Sequence, residues 1–279
     1  MTTTENKPIR IAVLDLNEGL PNQGMRCIKQ IIDEWEAASE RKVDRHLFDV
    51  RVKNELPDTS FDVYISSGGP GDPLSSRFDD WDINWNKWLN EMVRYNNNPS
   101  NTQKKHIFFI CHSFQLASRH FNAGILCKRK STAFGVFPVH MLEGGKDEPV
   151  FDGLRDPFYA VDSRDFQLIQ PHHDVLKKMG AQILCIEKER RHVAYERAVM
   201  GIRFNEYMIG TQFHPEADAI GMSLHLQKED KRKTVIESYG EEKLISMLKH
   251  LNDPDKILWT YSHILFNFLN SAVGTLEFA

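Results

Sequence analysis

The sequence predicts an α/β fold: a mostly parallel, doubly wound sheet with helices on both faces, continued by a helical C-terminal extension. Three observations carry this expectation. Short apolar runs without alternation, such as RIAVLDL (10–16) and KKHIFFIC (104–111), suit strands covered on both faces. Segments with helical spacing lie between such runs, giving the order β-α-β-β-α-β over residues 10–111. After Ala217 every periodic segment has helical spacing.

In chain order, MTTTENKPI (1–9) has no apolar core and is expected to be a disordered terminus. Residues 10–279 then form one domain, with 217–279 as its helical extension. GMRCIKQIIDEWEAAS (24–39) is the first helix, and VDRHLFDVR (43–51) and FDVYIS (61–66) are strands. The second of these ends in SGGPGDP, which must be loop. A helix over 79–95, capped by Asp79 or Asp80, places Trp81, Trp85, Trp88, Leu89 and Met92 on one stripe. That spacing suits core packing rather than an aromatic platform. The second half is more amphipathic, reading as a hairpin-rich layer before strands at 181–189, 193–198 and 207–213. In the tail, Leu244, Ile245, Met247, Leu248 and Leu251 share one face. Asp253 and Pro254 open another helix, striped by Ile257, Leu258, Tyr261, Ile264, Leu265 and Phe268. KEDKRK (228–233) is mixed in sign and reads as a solvated face.

Composition narrows the function. The 279 residues are 41% hydrophobic with a net charge of −4, so no basic surplus points to nucleic acid. No apolar run reaches the roughly 18–20 residues of a membrane helix. A cytoplasmic location is expected. The four cysteines form no CxxC pair, so neither a disulfide framework nor a zinc site is indicated, and no cofactor is expected. His172, His173 and Asp174 lack a third ligand in sequence and read as surface or cleft residues rather than a metal site. Cys27 and Cys185, within a helix and a strand, read as core.

Three loops follow strands at the end where a parallel sheet binds ligands: SSGGPGDP, CHSFQ and HPEAD. Cys111 is either a small hydrophobe packing the strand end or a nucleophile on a sharp strand-to-helix turn. A helix N-terminus and a nearby histidine both favour thiolate, and His214 suits the latter role. Glu216, two residues on across Pro215, can orient the imidazole. The glycines of SSGGPGDP and the N–H of His112 suit an oxyanion site. Together the loops supply what acyl transfer requires. The likeness of SGGPGDP to a pyrophosphate-holding SGGxDS loop fails at Gly71.

These motifs, in this order and at similar spacings, resemble the class I (triad, Cys-His-Glu) glutamine amidotransferases over roughly residues 10–220. The SGGP loop is most similar to that of GMP synthase glutaminase domains. The resemblance implies a flavodoxin-like sheet. It makes Cys111 the nucleophile, His214 the general base and Glu216 its orienter. Gly69 and His112 are the implied oxyanion donors, Gln115 holds substrate, and His173 lies near the rim as a binding residue. The implied reaction is hydrolysis of a side-chain amide through a Cys thioester, releasing ammonia. Glutamine or a γ-glutamyl amide is the implied substrate, with a separate ammonia-accepting synthetase as partner. A stand-alone γ-glutamyl hydrolase and a non-catalytic, partner-binding homologue are the alternatives. Two positions depart from the family elbow, which has glycine where this chain has Phe109 and Ser113.

Overall fold

Strand β1 (Ile9–Asp15) sends Ile11 and Val13 to one side of the sheet and Ala12 and Leu14 to the other, all fully buried. This two-sided burial is why the run shows no alternation. The computed structural model describes residues 7–189, 196–227, 229–251, 253 and 256–277. Ile9 already belongs to β1, so order begins before residue 10, while residues 1–6 of the expected disordered terminus lie outside the described residues.

Helix α1 (Gln23–Ser39) follows, its Asn22 side chain accepting from the Met25 N–H at 2.8 Å. Then come β2 (Val43–Asp49), β3 (Val63–Ser66), α2 (Asp80–Asn97), β4 (His106–Ile110) and α3 (His112–His120). The second half contains β5 (Ile125–Met141), α4 (Glu143–Lys146), β6 (Phe158–Ile169), α5 (His173–Met179), β7 (Gln182–Glu187), β8 (Val199–Asn205) and β9 (Met208–Thr211). The tail forms α6 (Ala219–Gln227), α7 (Glu229–Tyr239), α8 (Glu241–Leu251) and α9 (Ile257–Glu277).

The nine described strands run in the order β2-β1-β3-β4-β9-β8-β6-β5-β7. The first five pair in parallel. All later pairings are antiparallel, and β7 also pairs with β8, so β8, β6, β5 and β7 close into a small barrel. The expectation of a mostly parallel, doubly wound sheet is therefore corrected: that description holds only for the five-stranded half. β8 and β9 are joined by a tight turn, and such a connection cannot return a parallel strand.

Helices lie on both faces of the parallel half. One face packs against α1 and α9, where Tyr261, Ile264, Leu265 and Phe268 are buried and the Phe268 ring meets Phe108 at 5.2 Å. The other packs against α2 and α3, with Trp85, Trp88, Leu89 and Met92 buried as their stripe predicts. Helices α6 to α8 lie instead over β5 and β6, where Met222, Val235, Leu244 and Leu251 meet Val136 and Val161. Leu244 and Leu251 are buried there while Ile245 and Leu248 face solvent, so the expected shared face is divided. Of the strand expected at 193–198, residues 193–195 lie outside the described residues and 196–198 carry no strand. Pro254 also lies outside them. No described helix is long and apolar enough to cross a membrane.

Candidate active site

β4 enters the centre of the sheet and stops at Cys111, whose φ of 47° and ψ of −97° are strained for a residue with a side chain. α3 begins at the next residue, so the thiol stands on a sharp strand-to-helix turn. The Ser113 hydroxyl braces this turn. It accepts from the Ile110 N–H at 2.8 Å and donates to the Ser66 carbonyl at 2.6 Å, linking the elbow to the end of β3. Phe109 is fully buried among Trp85 and Phe204. Its partner across the sheet is Gly210, where a Cβ would stand 3.0 Å from the Cβ and carbonyl oxygen of Phe109. The glycine on the neighbouring strand thus leaves room for Phe109 at this crowded position.

His214 follows β9. Its N–H donates to the Val161 carbonyl at 2.8 Å, and its Nδ1 lies 2.8 Å from Glu216 Oε1. That contact leaves Nε2 unbound by Glu216, and the ring lines the same cavity as the Cys111 thiol. Burial works against charge on His214, but the charges of Cys111 and Glu216 and their hydrogen bonds hold the imidazole well above its ordinary value. Glu216 is buried, and its Oε1 is 3.2 Å from where a Cβ on Gly24 would stand. The carboxylate therefore abuts the first turn of α1, the end of a helix that favours negative charge.

The Ser67–Gly69 turn forms the facing wall. A Cβ on Gly68 would lie 2.8 Å from His214 Cε1, and one on Gly69 would lie 2.3 Å from the Leu16 carbonyl oxygen. At Gly69 the obstacle is backbone; at Gly68 it is the imidazole, which would have to give way. The N–H groups of Gly69 and His112 have no hydrogen-bond partner among the described residues. The His112 imidazole is buried near Trp81, and burial, with Arg51 and Arg119, pushes its pKa down to about 3. Only its backbone is available for chemistry.

Gln115 is buried at the cavity floor and donates Nε2 to Gln212 Oε1 at 3.1 Å. Gln212 in turn directs Nε2 to Cys111 Sγ at 3.7 Å, and the Ser163 carbonyl lies 3.7 Å from the same sulfur. Neither Gln212 nor Ser163 was singled out from sequence. Gln212 stood two residues before His214 in a run read only as strand, and Ser163 lay in the hairpin layer. The cavity has a volume of about 650 Å³ and brings together Cys111, His112, Gln115, Gly69, His214 and Glu216. His173 is not among its lining residues; it opens α5 with its side chain exposed. Leu20, Pro21, Met222 and Leu224 add an apolar wall from the β1–α1 loop and α6.

Burial pushes Cys27 up to about 12 and Cys185 well above the ordinary range, which keeps both protonated. The described residues hold no group of three His, Cys, Asp or Glu side chains placed to bind a metal.

A family model described as glutamine amidotransferase class-I matches residues 27–227. No curated protein sequence matches. Solved structures of similar fold include a glutamine amidotransferase from Thermotoga maritima (14% identity, 96% of this chain and 99% of that one, TM-score 0.66). A putative GMP synthase subunit from Thermoplasma acidophilum is 17% identical over 98% of both chains, with a TM-score of 0.60. The glutaminase domain of Trypanosoma brucei CTPS with bound acivicin is 14% identical over 95% of this chain and 94% of that one, with a TM-score of 0.57. At these identities the likeness is one of fold.

Proposed function

Given that this chain belongs to the glutamine amidotransferase class-I family, we propose that it hydrolyses the side-chain amide of glutamine, with Cys111 as nucleophile and ammonia as first product. The observation that carries the reading is that Cys111, on a strained elbow, shares one cavity with the hydrogen-bonded pair His214 and Glu216. The Cys111 sulfur attacks the amide carbon while the carbonyl oxygen takes up negative charge beside the N–H groups of Gly69 and His112. His214 passes a proton to the leaving nitrogen, and ammonia departs from a γ-glutamyl thioester. The imidazole then takes a proton from water, whose oxygen attacks the thioester carbon. Glutamate leaves and the thiol is restored. Glu216 fixes the ring tautomer throughout, and Gln115 helps hold the substrate.

Residues 10–279 act as one unit in this reading, since α9 covers the sheet and α6 walls the cavity. Ammonia passes to a separate synthetase. The likeness to a protein named as one subunit of a synthase, over nearly all of both chains, supports that arrangement. A second reading rests on cavity size. A volume of about 650 Å³ is of the order that holds drug-sized ligands. A γ-glutamyl amide with its amine along Leu20, Met222 and Leu224 would fill it better than glutamine.

The test is labelling with a glutamine-like diazoketone, followed by peptide mass spectrometry. Modification of Cys111 alone, suppressed by excess glutamine, is expected. Modification spread over Cys27, Cys127 and Cys185 would overturn the assignment.

A further inference from the structure

We propose that Gln212 is a further catalytic residue, one whose side-chain amide donates a hydrogen bond to Cys111 Sγ and holds the charge that develops there. The proposal rests on the reading of Cys111 as nucleophile, but its test requires no turnover.

Gln212 is fully buried at the end of β9, and its N–H donates to the Met200 carbonyl at 2.8 Å, which fixes the backbone beneath the elbow. A buried primary amide must place an acceptor and two donors, and leaving them unmatched is costly. Here the acceptor is committed: Gln212 Oε1 receives Gln115 Nε2 at 3.1 Å. With Oε1 turned to Gln115, the NH₂ edge faces Cys111 Sγ, and Nε2 lies 3.7 Å from the sulfur. That separation is within reach of a hydrogen bond to sulfur, and such a bond strengthens when the acceptor becomes anionic.

The other close polar atom at the sulfur has the opposite preference. The Ser163 carbonyl oxygen, also at 3.7 Å, can accept from S–H but offers nothing to an anion. The ionised sulfur is then held by the Gln212 amide, in the cavity it shares with His214. Because Gln115 both braces Gln212 and lines the cavity, the element that holds substrate also aims the donor at the nucleophile. A donor already oriented towards the sulfur costs no reorganisation when charge appears. A merely structural Gln212 would fill space under the elbow without affecting sulfur reactivity.

Iodoacetamide alkylation of Cys111, followed by peptide mass spectrometry on the full chain, separates the two. Gln212→Met keeps the bulk and removes the donor. At neutral pH it should slow alkylation about tenfold, the scale of one hydrogen bond to a charged group, and displace the alkylation–pH curve to higher pH. Where glutamine is turned over, kcat should fall with KM within about twofold, since the contact is made to the nucleophile rather than to the substrate. Gln115→Met leaves Gln212 in place but unbraced and should slow alkylation in the same direction by less. It also keeps the test open should Gln212→Met fail to fold. Wild-type alkylation rates in a folded Gln212→Met protein, or in Gln115→Met when the first variant does not fold, would overturn the proposal. So would a raised KM with unchanged kcat. A wild-type protein that alkylates at Cys111 but never hydrolyses glutamine would count against the proposed reaction and leave this inference standing.

Discussion

Gly68→Ala is the perturbation that most sharply separates catalytic geometry from stability. A Cβ at Gly68 would stand 2.8 Å from His214 Cε1 and 3.5 Å from both His214 Nδ1 and the Cys111 Cβ. Ordinary carbon contact begins near 3.4 Å, so the imidazole must retreat by about 0.6 Å. Glu216 Oε1 holds His214 Nδ1 at 2.8 Å, so movement of the ring strains that hydrogen bond or shifts the ring relative to Cys111. A misplacement approaching 1 Å costs up to about a hundredfold in rate, so a fall in kcat of roughly tenfold to hundredfold is expected. The clash is with a side chain rather than backbone, so stability should change by no more than about 1 kcal/mol. At Gly69 the obstacle is the Leu16 backbone, and Gly69→Ala should cost more, about 1–3 kcal/mol. Ammonia release from glutamine and urea unfolding of both variants give the two readouts. A Gly68→Ala enzyme with more than half the wild-type kcat would refute the placement of His214 against this turn.

Three further outcomes follow from the same geometry. His214→Ala should lose about as much turnover as removal of the thiol, while Glu216→Ala should be roughly tenfold to hundredfold milder; steady-state kinetics of the two single variants and the double should show strong non-additivity. Ser113→Ala leaves the Ile110 N–H and Ser66 carbonyl unmatched and should lower the unfolding free energy by about 1–3 kcal/mol, measured by urea titration. Burial pushes His106 down to about 4 and His112 to about 3, so the folded protein keeps both neutral while the unfolded chain protonates them near their ordinary value of 6.5. Stability is therefore full above pH 6.5 and is lost as pH falls towards those depressed values. Between pH 7 and 5 these two groups should together contribute a loss on the order of 4 kcal/mol in unfolding free energy. His106→Gln, which retains a partner for Thr275 Oγ1, should remove about half of it.

Much of the parallel half was legible because its chemistry is local. The unbroken apolar runs of β1 and β4 and the tryptophan stripe of α2 each report burial through their own spacing. The three loops at strand ends were legible for the same reason, and the cavity brings residues from all three together. What escaped depends on neighbours distant in sequence. VMGIRFN was not recognised as β8 because Gly201 breaks its apolar pattern. That glycine is required by Cys185, whose Sγ would lie 2.9 Å from a Cβ there. Barrel closure through the pairing of β7 with β8 leaves no periodic signal in either strand. Phe109 departs from the family elbow, and the glycine that makes room for it, Gly210, lies about a hundred residues away in the chain. Gln212 acquires significance only through its distances to Gln115 and Cys111. His173 looked placed for the rim in sequence, but α5 begins there and its side chain points to solvent.

Whether Cys111 is the nucleophile of an amide hydrolysis is tested by paired ammonia assays. Purified wild-type protein and Cys111→Ala should be offered glutamine and a panel of γ-glutamyl amides, with ammonia or free amine and glutamate measured. Cys111→Ala leaves only a small cavity at the strand end, so its unfolding curve provides a control for fold. Glutamate formation by the wild type on at least one of these substrates, and none above background by a folded Cys111→Ala protein, is expected. Equal release by the two proteins, or none by the wild type on any member of the panel, would contradict it.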